Sequence, residues 1–155
     1  MTQLFFTLQI IKMSVDAEID AFFETLFPDE ALRAHVWRIC ASHINIESQE
    51  PCVYVWVGTG CNGKSTLNQL MQLAFGENFV STEDDEEWSM DTTSTCHYIC
   101  NEMPQITNKS NVRIISFRAT IKNPISMQSN LERWVAPFKA RLQHIYETEG
   151  MNQIV

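Results

Sequence analysis

The sequence predicts an α/β fold built on one strand–loop–helix unit, and three observations predict it. Cys52-Val-Tyr-Val-Trp-Val57 is a short apolar run rich in β-branched and aromatic residues, the composition of a buried strand. Gly58-Thr-Gly-Cys-Asn-Gly-Lys-Ser-Thr66 follows at once and matches G-x-x-x-x-G-K-[ST], a loop pattern that cradles phosphate. Leu67, Leu70, Met71, Ala74 and Phe75 then recur at helical spacing, so Lys64 to Phe75 is expected to be helical, with Gly76 as its C-cap.

Each part of the loop pattern has a chemical reason. Gly58, Gly60 and Gly63 let the backbone turn so that its N–H groups converge on a β-phosphate. Lys64 brings an ammonium to the β- and γ-phosphates, and the Ser65 hydroxyl can ligate Mg2+. A helix that starts at Lys64 points the positive end of its dipole at the same anion. The expected nucleotide-binding set is therefore Gly58, Thr59, Gly60, Cys61, Asn62, Gly63, Lys64, Ser65 and Thr66, with Ser65 on the metal. An ordinary glycine-rich turn would explain the glycines but not Lys64-Ser65-Thr66.

Two helices are expected before this unit. Ser14 followed by Asp16 and Glu18 has the form of a helix start, and Ile19, Phe22, Phe23 and Leu26 make one apolar face. Phe27-Pro28 breaks that helix, and Pro28 is placed to open the next. Ala31, Leu32, Val36, Ile39 and Cys40 form its stripe, which makes an N-terminal helical hairpin.

Beyond the loop helix, Ser81-Thr-Glu-Asp-Asp-Glu-Glu87 is an acidic run with no apolar periodicity, and a solvated loop is expected there. Cys96-His-Tyr-Ile-Cys100 and Val112-Arg-Ile-Ile-Ser-Phe117 read as further strands, the first stopped at Asn101-Glu-Met-Pro104. Ser129 to Tyr146 has a helical stripe of Leu131, Trp134, Val135, Phe138, Leu142 and Ile145, which Pro137 must kink or restart. The expected organisation is a helical lead-in over 1–50, a partial nucleotide-binding core over 51–125 and a C-terminal helical segment over 126–155.

Bulk properties exclude some functions. A net charge of -8 over 155 residues argues against a generally basic surface, so nucleic acid would need a local basic patch or a ring of copies. Five cysteines form no C-x-x-C pair or zinc spacing, which fits a reducing compartment. The first eleven residues lack the charged start and cleavage site of a signal peptide and are too short to span a membrane, so an intracellular protein with no membrane partner is expected.

Val55-Trp-Val-Gly-Thr-Gly-Cys-Asn-Gly-Lys-Ser-Thr66, with Asn62 directly before Gly-Lys-Ser, resembles motif A of the superfamily 3 helicases. In particular, it resembles the C-terminal helicase domain of the poxvirus-type primase-helicases of large DNA viruses and phages. Ile99-Cys-Asn-Glu-Met-Pro104 is similar to that family's apolar strand ending in Asn-x-x-Pro, and Arg113-Ile-Ile-Ser-Phe117 to the strand after it. The resemblance covers roughly Val15 to Tyr146. It implies an AAA-like P-loop NTPase core that assembles as a homo-oligomeric ring in a viral-type DNA replication protein, in host cytoplasm or nucleus. It implies ATP and Mg2+ as cofactors, and hydrolysis coupled to unwinding of single-stranded or forked DNA. Lys64 carries over as a catalytic residue, Asn101 as the sensor of the γ-phosphate or attacking water, and Arg113 as a basic position near the family's arginine finger.

The chain also departs from the family. No apolar strand ending in an acid is expected between the loop helix and Cys96, and Gly76 to Ile106 contains no Lys or Arg. The family holds its metal-binding acid and DNA-contacting residues in that interval, so the chain reads as internally truncated and its sheet as incomplete. Asn111 falls where the arginine finger is expected. These departures leave a second reading open, a nucleotide-binding or interaction module without turnover. A small-molecule kinase would need a lid of clamping arginines, and Arg113, Arg118, Arg133 and Arg141 are scattered.

Overall fold

The computed structural model describes residues 14–48, 53–58, 63–76, 79–82, 96–100, 112–116 and 131–149, with side chains at 14–45, 54–58, 63–76, 79, 115 and 131–149. Helix α1 spans Val15–Leu26. Its first turn is closed by Ser14, whose Oγ accepts from the Ala17 amide at 3.2 Å, with Asp16 and Glu18 beside the positive helix end. Helix α2 spans Glu30–Ser42 and is capped by Asp29, not opened by Pro28 as the proline pattern predicts. The cap wins because the Asp29 carboxylate accepts from the Ala31 amide at 3.2 Å. Arg33 fastens the turn between the helices by donating to the Phe27 carbonyl at 2.9 Å. A 3-10 segment, His43–Ser48, follows and is interrupted at Asn45.

Strand β1 is Val53–Val57, and helix α3 is Lys64–Phe75. Three further strands follow: β2 (Val80–Thr82), β3 (Cys96–Cys100) and β4 (Val112–Ser116). Helix α4, Leu131–Thr148, closes the described chain. Of the two outcomes expected at Pro137, a kink or a restart, the restart does not occur: α4 is continuous across it. A proline removes one N–H from the helix ladder. Leu131, Trp134, Phe138, Leu142 and Ile145, buried on both sides of it, hold the two halves on one core-facing stripe.

The packed interior is helix against helix. Helix α4 is the hub and packs on α1, α2 and α3. Phe23 of α1 stacks on Trp37 of α2, centroids 3.9 Å apart and planes 15° from parallel, and lies 6.2 Å from Phe138 of α4. Phe22 meets Trp134 at 5.3 Å. Around this aromatic knot runs a polar rim. Glu18 takes the Trp134 indole N–H at 3.0 Å and Arg133 at 3.1 Å, Arg141 pairs with Asp20 at 3.0 Å, and Arg38 with Glu149 at 2.9 Å. Solvent-facing pairs of this kind contribute at most about 1 kcal/mol each, so they set the register of α4 while aromatic burial supplies the stability.

The strands run parallel in the order β2-β3-β1-β4. Val57 is level with Cys100 of β3 and with Ser116 of β4. Val80 to Thr82 pair with Cys96 to Tyr98.

The predicted fold class is corrected by these findings. Where side chains are described, the chain is 82% helical. β1 is the one strand with more than a single side chain among them. An α/β P-loop core of AAA-like type, with helices as flanking additions, does not describe this body. A doubly wound core draws its stability from helices laid on a sheet. Here most of the described burial lies in α1, α2, α3 and α4, and Tyr54 and Trp56 of β1 and Ile115 of β4 join that helical core. Glycine-rich motif chemistry dominates the sequence pattern, whereas the packing is dominated by the aromatic stripes of 15–42 and 131–148.

One imidazole joins the helical body to the strand–loop–helix unit. His43, at the end of α2, lies 6.3 Å from the Tyr54 ring of β1, 5.7 Å from Phe75 of α3 and 5.6 Å from Phe79. Its Nδ1 is 3.0 Å from the Ile39 carbonyl, which can only accept, so Nδ1 carries the proton. Burial pushes its pKa down from 6.5 to about 4, although the hydrogen bond opposes this. The same burial pushes the Cys40 thiol up to about 12, so it stays protonated and unreactive.

Two outcomes follow. Phe23→Ala is expected to lower the unfolding free energy by about 3–5 kcal/mol in urea titrations, because it empties the centre of the aromatic knot. His43 binds its proton less tightly in the folded than in the unfolded chain, so its contribution is complete above pH 6.5 and is lost as pH falls toward about 4. The loss is on the order of 3 kcal/mol. His43→Phe is expected to remove that part of the acid sensitivity, read as a flatter dependence of the urea midpoint between pH 7 and pH 4.

Candidate functional site

The loop begins where β1 ends and closes where α3 begins. Gly58, the residue after β1, is buried. At the far end, Gly63 holds φ 81° and ψ 4°, the left-handed region in which a side chain is strained. Gly63 is the N-cap of α3, its carbonyl accepts from the Leu67 amide at 2.9 Å, and no side chain caps the helix. The first amides of a helix have no intrahelical acceptor, and a glycine N-cap brings no side-chain oxygen to them.

Lys64 is the first residue of α3 and is 4% exposed. Its Nζ donates to the Gly58 carbonyl at 2.8 Å and so ties the two ends of the loop together. A buried ammonium is tolerated only when hydrogen-bonded or paired, and the carbonyl supplies that partner. The Ser65 side chain is exposed, while Thr66 is buried. Lys64, Ser65 and Gly58 are thus gathered at one end of α3. Thr59, Gly60, Cys61 and Asn62, the rest of the expected set, lie outside the described residues.

Of the other expected site residues, Arg113 alone falls among the described residues. Asn101 lies outside the described residues, although β3, which it follows in sequence, ends level with Val57. Arg113 is the second residue of β4 and is level with Tyr54. Its Cα is three residues, roughly 10 Å, back along the strands from the end that carries the loop. Among the described residues no group of three or more His, Cys, Asp or Glu could hold a metal. No helix among them is long and apolar enough to cross a membrane.

Two features escaped the sequence pattern. Val80–Thr82 is a strand paired with β3, so the acidic run does follow a parallel strand, with Glu83 next in sequence. Three residues are too few to register as a periodic run. The second is Asn68, one turn into α3. It is 4% exposed, and its Oδ1 has no hydrogen-bond partner. A buried, unsatisfied carbonyl costs about 1–3 kcal/mol. No sequence signal separates Asn68 from its exposed neighbour Gln69 between Leu67 and Leu70. No protein-family model matches the chain, and no curated protein matches it.

Gly63→Ala is expected to cost about 1–2 kcal/mol of stability, the penalty of a Cβ in the left-handed region. Gly76→Ala serves as the control, since Gly76 is also at positive φ but meets no neighbouring atom within 4 Å and stands at the opposite end of α3. Both variants should lose stability in thermal melts, and only Gly63→Ala should also weaken binding of a phosphate ligand.

Proposed function

We propose that residues 58–66 bind the phosphates of ATP with Mg2+, and that the chain is the ATP-binding part of a helicase-type DNA replication protein. The observation that carries the reading is Lys64, buried at the start of α3 with its ammonium on the Gly58 carbonyl. An ammonium held on a backbone carbonyl there can exchange that partner for a phosphate oxygen, a charge-assisted and stronger acceptor. The uncapped α3 N-terminus adds a second attraction for the same anion. Ser65, exposed beside it, would supply the metal ligand. The metal would neutralise charge on the transferring phosphoryl group, and Lys64 would hold that group in place.

Resemblance to the superfamily 3 helicases extends the proposal from binding to hydrolysis and DNA unwinding by a ring of copies. Binding without turnover is the second reading, since among the described residues no strand ends in an acid. Strand β2, directly ahead of Glu83, Asp84 and Asp85, weighs toward turnover.

The experiment is steady-state phosphate release with and without single-stranded DNA. The intact chain is expected to hydrolyse ATP and to be stimulated by DNA, and Lys64→Ala to lose about 100-fold or more. Equal rates for the two proteins would refute the assignment of Lys64. Tight ATP binding with no release in a single turnover would select the module without turnover.

A further inference from the structure

We propose that Asn68 is a positioning residue of the nucleotide site, accepting the hydroxyl proton of Ser65 when the Ser65 oxygen binds Mg2+. The inference rests on the Mg2+–ATP reading and deepens it. Asn68 Oδ1 is, among the described residues, the buried side-chain atom left with no hydrogen-bond partner. Native interiors satisfy such atoms, and an exception calls for a partner that arrives with function.

Helix geometry says where that partner would come from. Side chains in an α-helix lean toward its N-terminus and lie over the residues three and four positions earlier. For Asn68 these are Ser65 and Lys64, the two residues of α3 expected to meet metal and phosphate. Lys64 already donates to Gly58. Ser65 carries an O–H on the exposed side of the same turn. When a serine oxygen lends a lone pair to a dication, its proton becomes a stronger donor and needs an acceptor. A carbonyl one turn below, dry and unpaired, fits that need. It fixes the rotation of the hydroxyl so that the lone pair faces the metal.

Partners that orient a metal ligand in this way change metal affinity by roughly 10- to 100-fold when removed. The test is calorimetric titration of the full chain with ATP, with Mg2+ and with EDTA, and its readout is the gain in ATP affinity that Mg2+ produces. N68L is expected to reduce that gain about tenfold or more while leaving the EDTA affinity and the thermal midpoint no lower. N68D, which can only accept, is expected to keep or increase the gain, and it serves if N68L does not fold. S65A should lose the same gain, with N68L adding nothing on the S65A background. An unchanged Mg2+ gain in N68L, or an equal loss of affinity with and without Mg2+, overturns the proposal. So does a loss of the gain in N68D. If the unmodified chain binds no ATP, the nucleotide reading itself fails. If it binds ATP and only the N68L result is wrong, the failure is confined to Asn68.

Discussion

The hydrogen bond from Lys64 Nζ to the Gly58 carbonyl is the contact on which the candidate site depends. It spans the loop from the end of β1 to the start of α3. Without it, a buried ammonium would lose this acceptor, and Gly58 its tie to the start of α3. Its geometry in turn needs β1 and α3 to be held in place. That restraint comes from outside the unit, through His43 against Tyr54, Phe75 and Phe79, and through α4 packed along α3. Stability therefore flows from the aromatic knot at Phe23, Trp37 and Phe138 to Gly58 and the start of α3.

This arrangement separates two roles within one chain. The helices α1, α2 and α4 bury Phe, Trp, Leu and Ile and carry little chemistry. Buried polar side chains gather elsewhere: Lys64, Thr66 and Asn68 all fall within the first five residues of α3, and Ser42 and His43 at the joint between the helical body and β1. Ser42 and His43 both bond the Ile39 carbonyl. At the head of α3, Lys64 bonds the Gly58 carbonyl, while Asn68 Oδ1 has no hydrogen-bond partner. Buried polarity costs free energy unless satisfied, so its concentration beside the loop marks where a ligand would repay that cost.

Much of the local structure was legible in the sequence. Apolar stripes at helical spacing marked Ile19, Phe22, Phe23 and Leu26, and also Leu67, Leu70, Met71 and Ala74, because a single helix face must be buried. The glycine at 63 was legible because the loop pattern demands a left-handed turn, and φ 81° supplies it. The balance of the fold was not legible. A motif shows where chemistry is concentrated, and the fold class depends on which surfaces pack, which is a long-range property of Phe23, Trp37, Trp134 and Phe138 together. The continuity of α4 across Pro137 was not legible for the same reason, since it depends on five buried residues around one missing amide. Strand β2 is too short to show a period, and Asn68 is read as surface until its burial is known.

The central claim is that a phosphate ligand takes the place of the Gly58 carbonyl at Lys64. The most direct measurement is an NMR titration of the full chain with Mg2+–ATP, following the backbone amides of 58–66 and the Lys64 side-chain nitrogen. Large shifts confined to that loop and the first turn of α3, with the Lys64 ammonium changing its hydrogen-bond partner, are the predicted result. Shifts elsewhere with residues 58–66 unmoved, or no shifts at saturating nucleotide, would contradict the account.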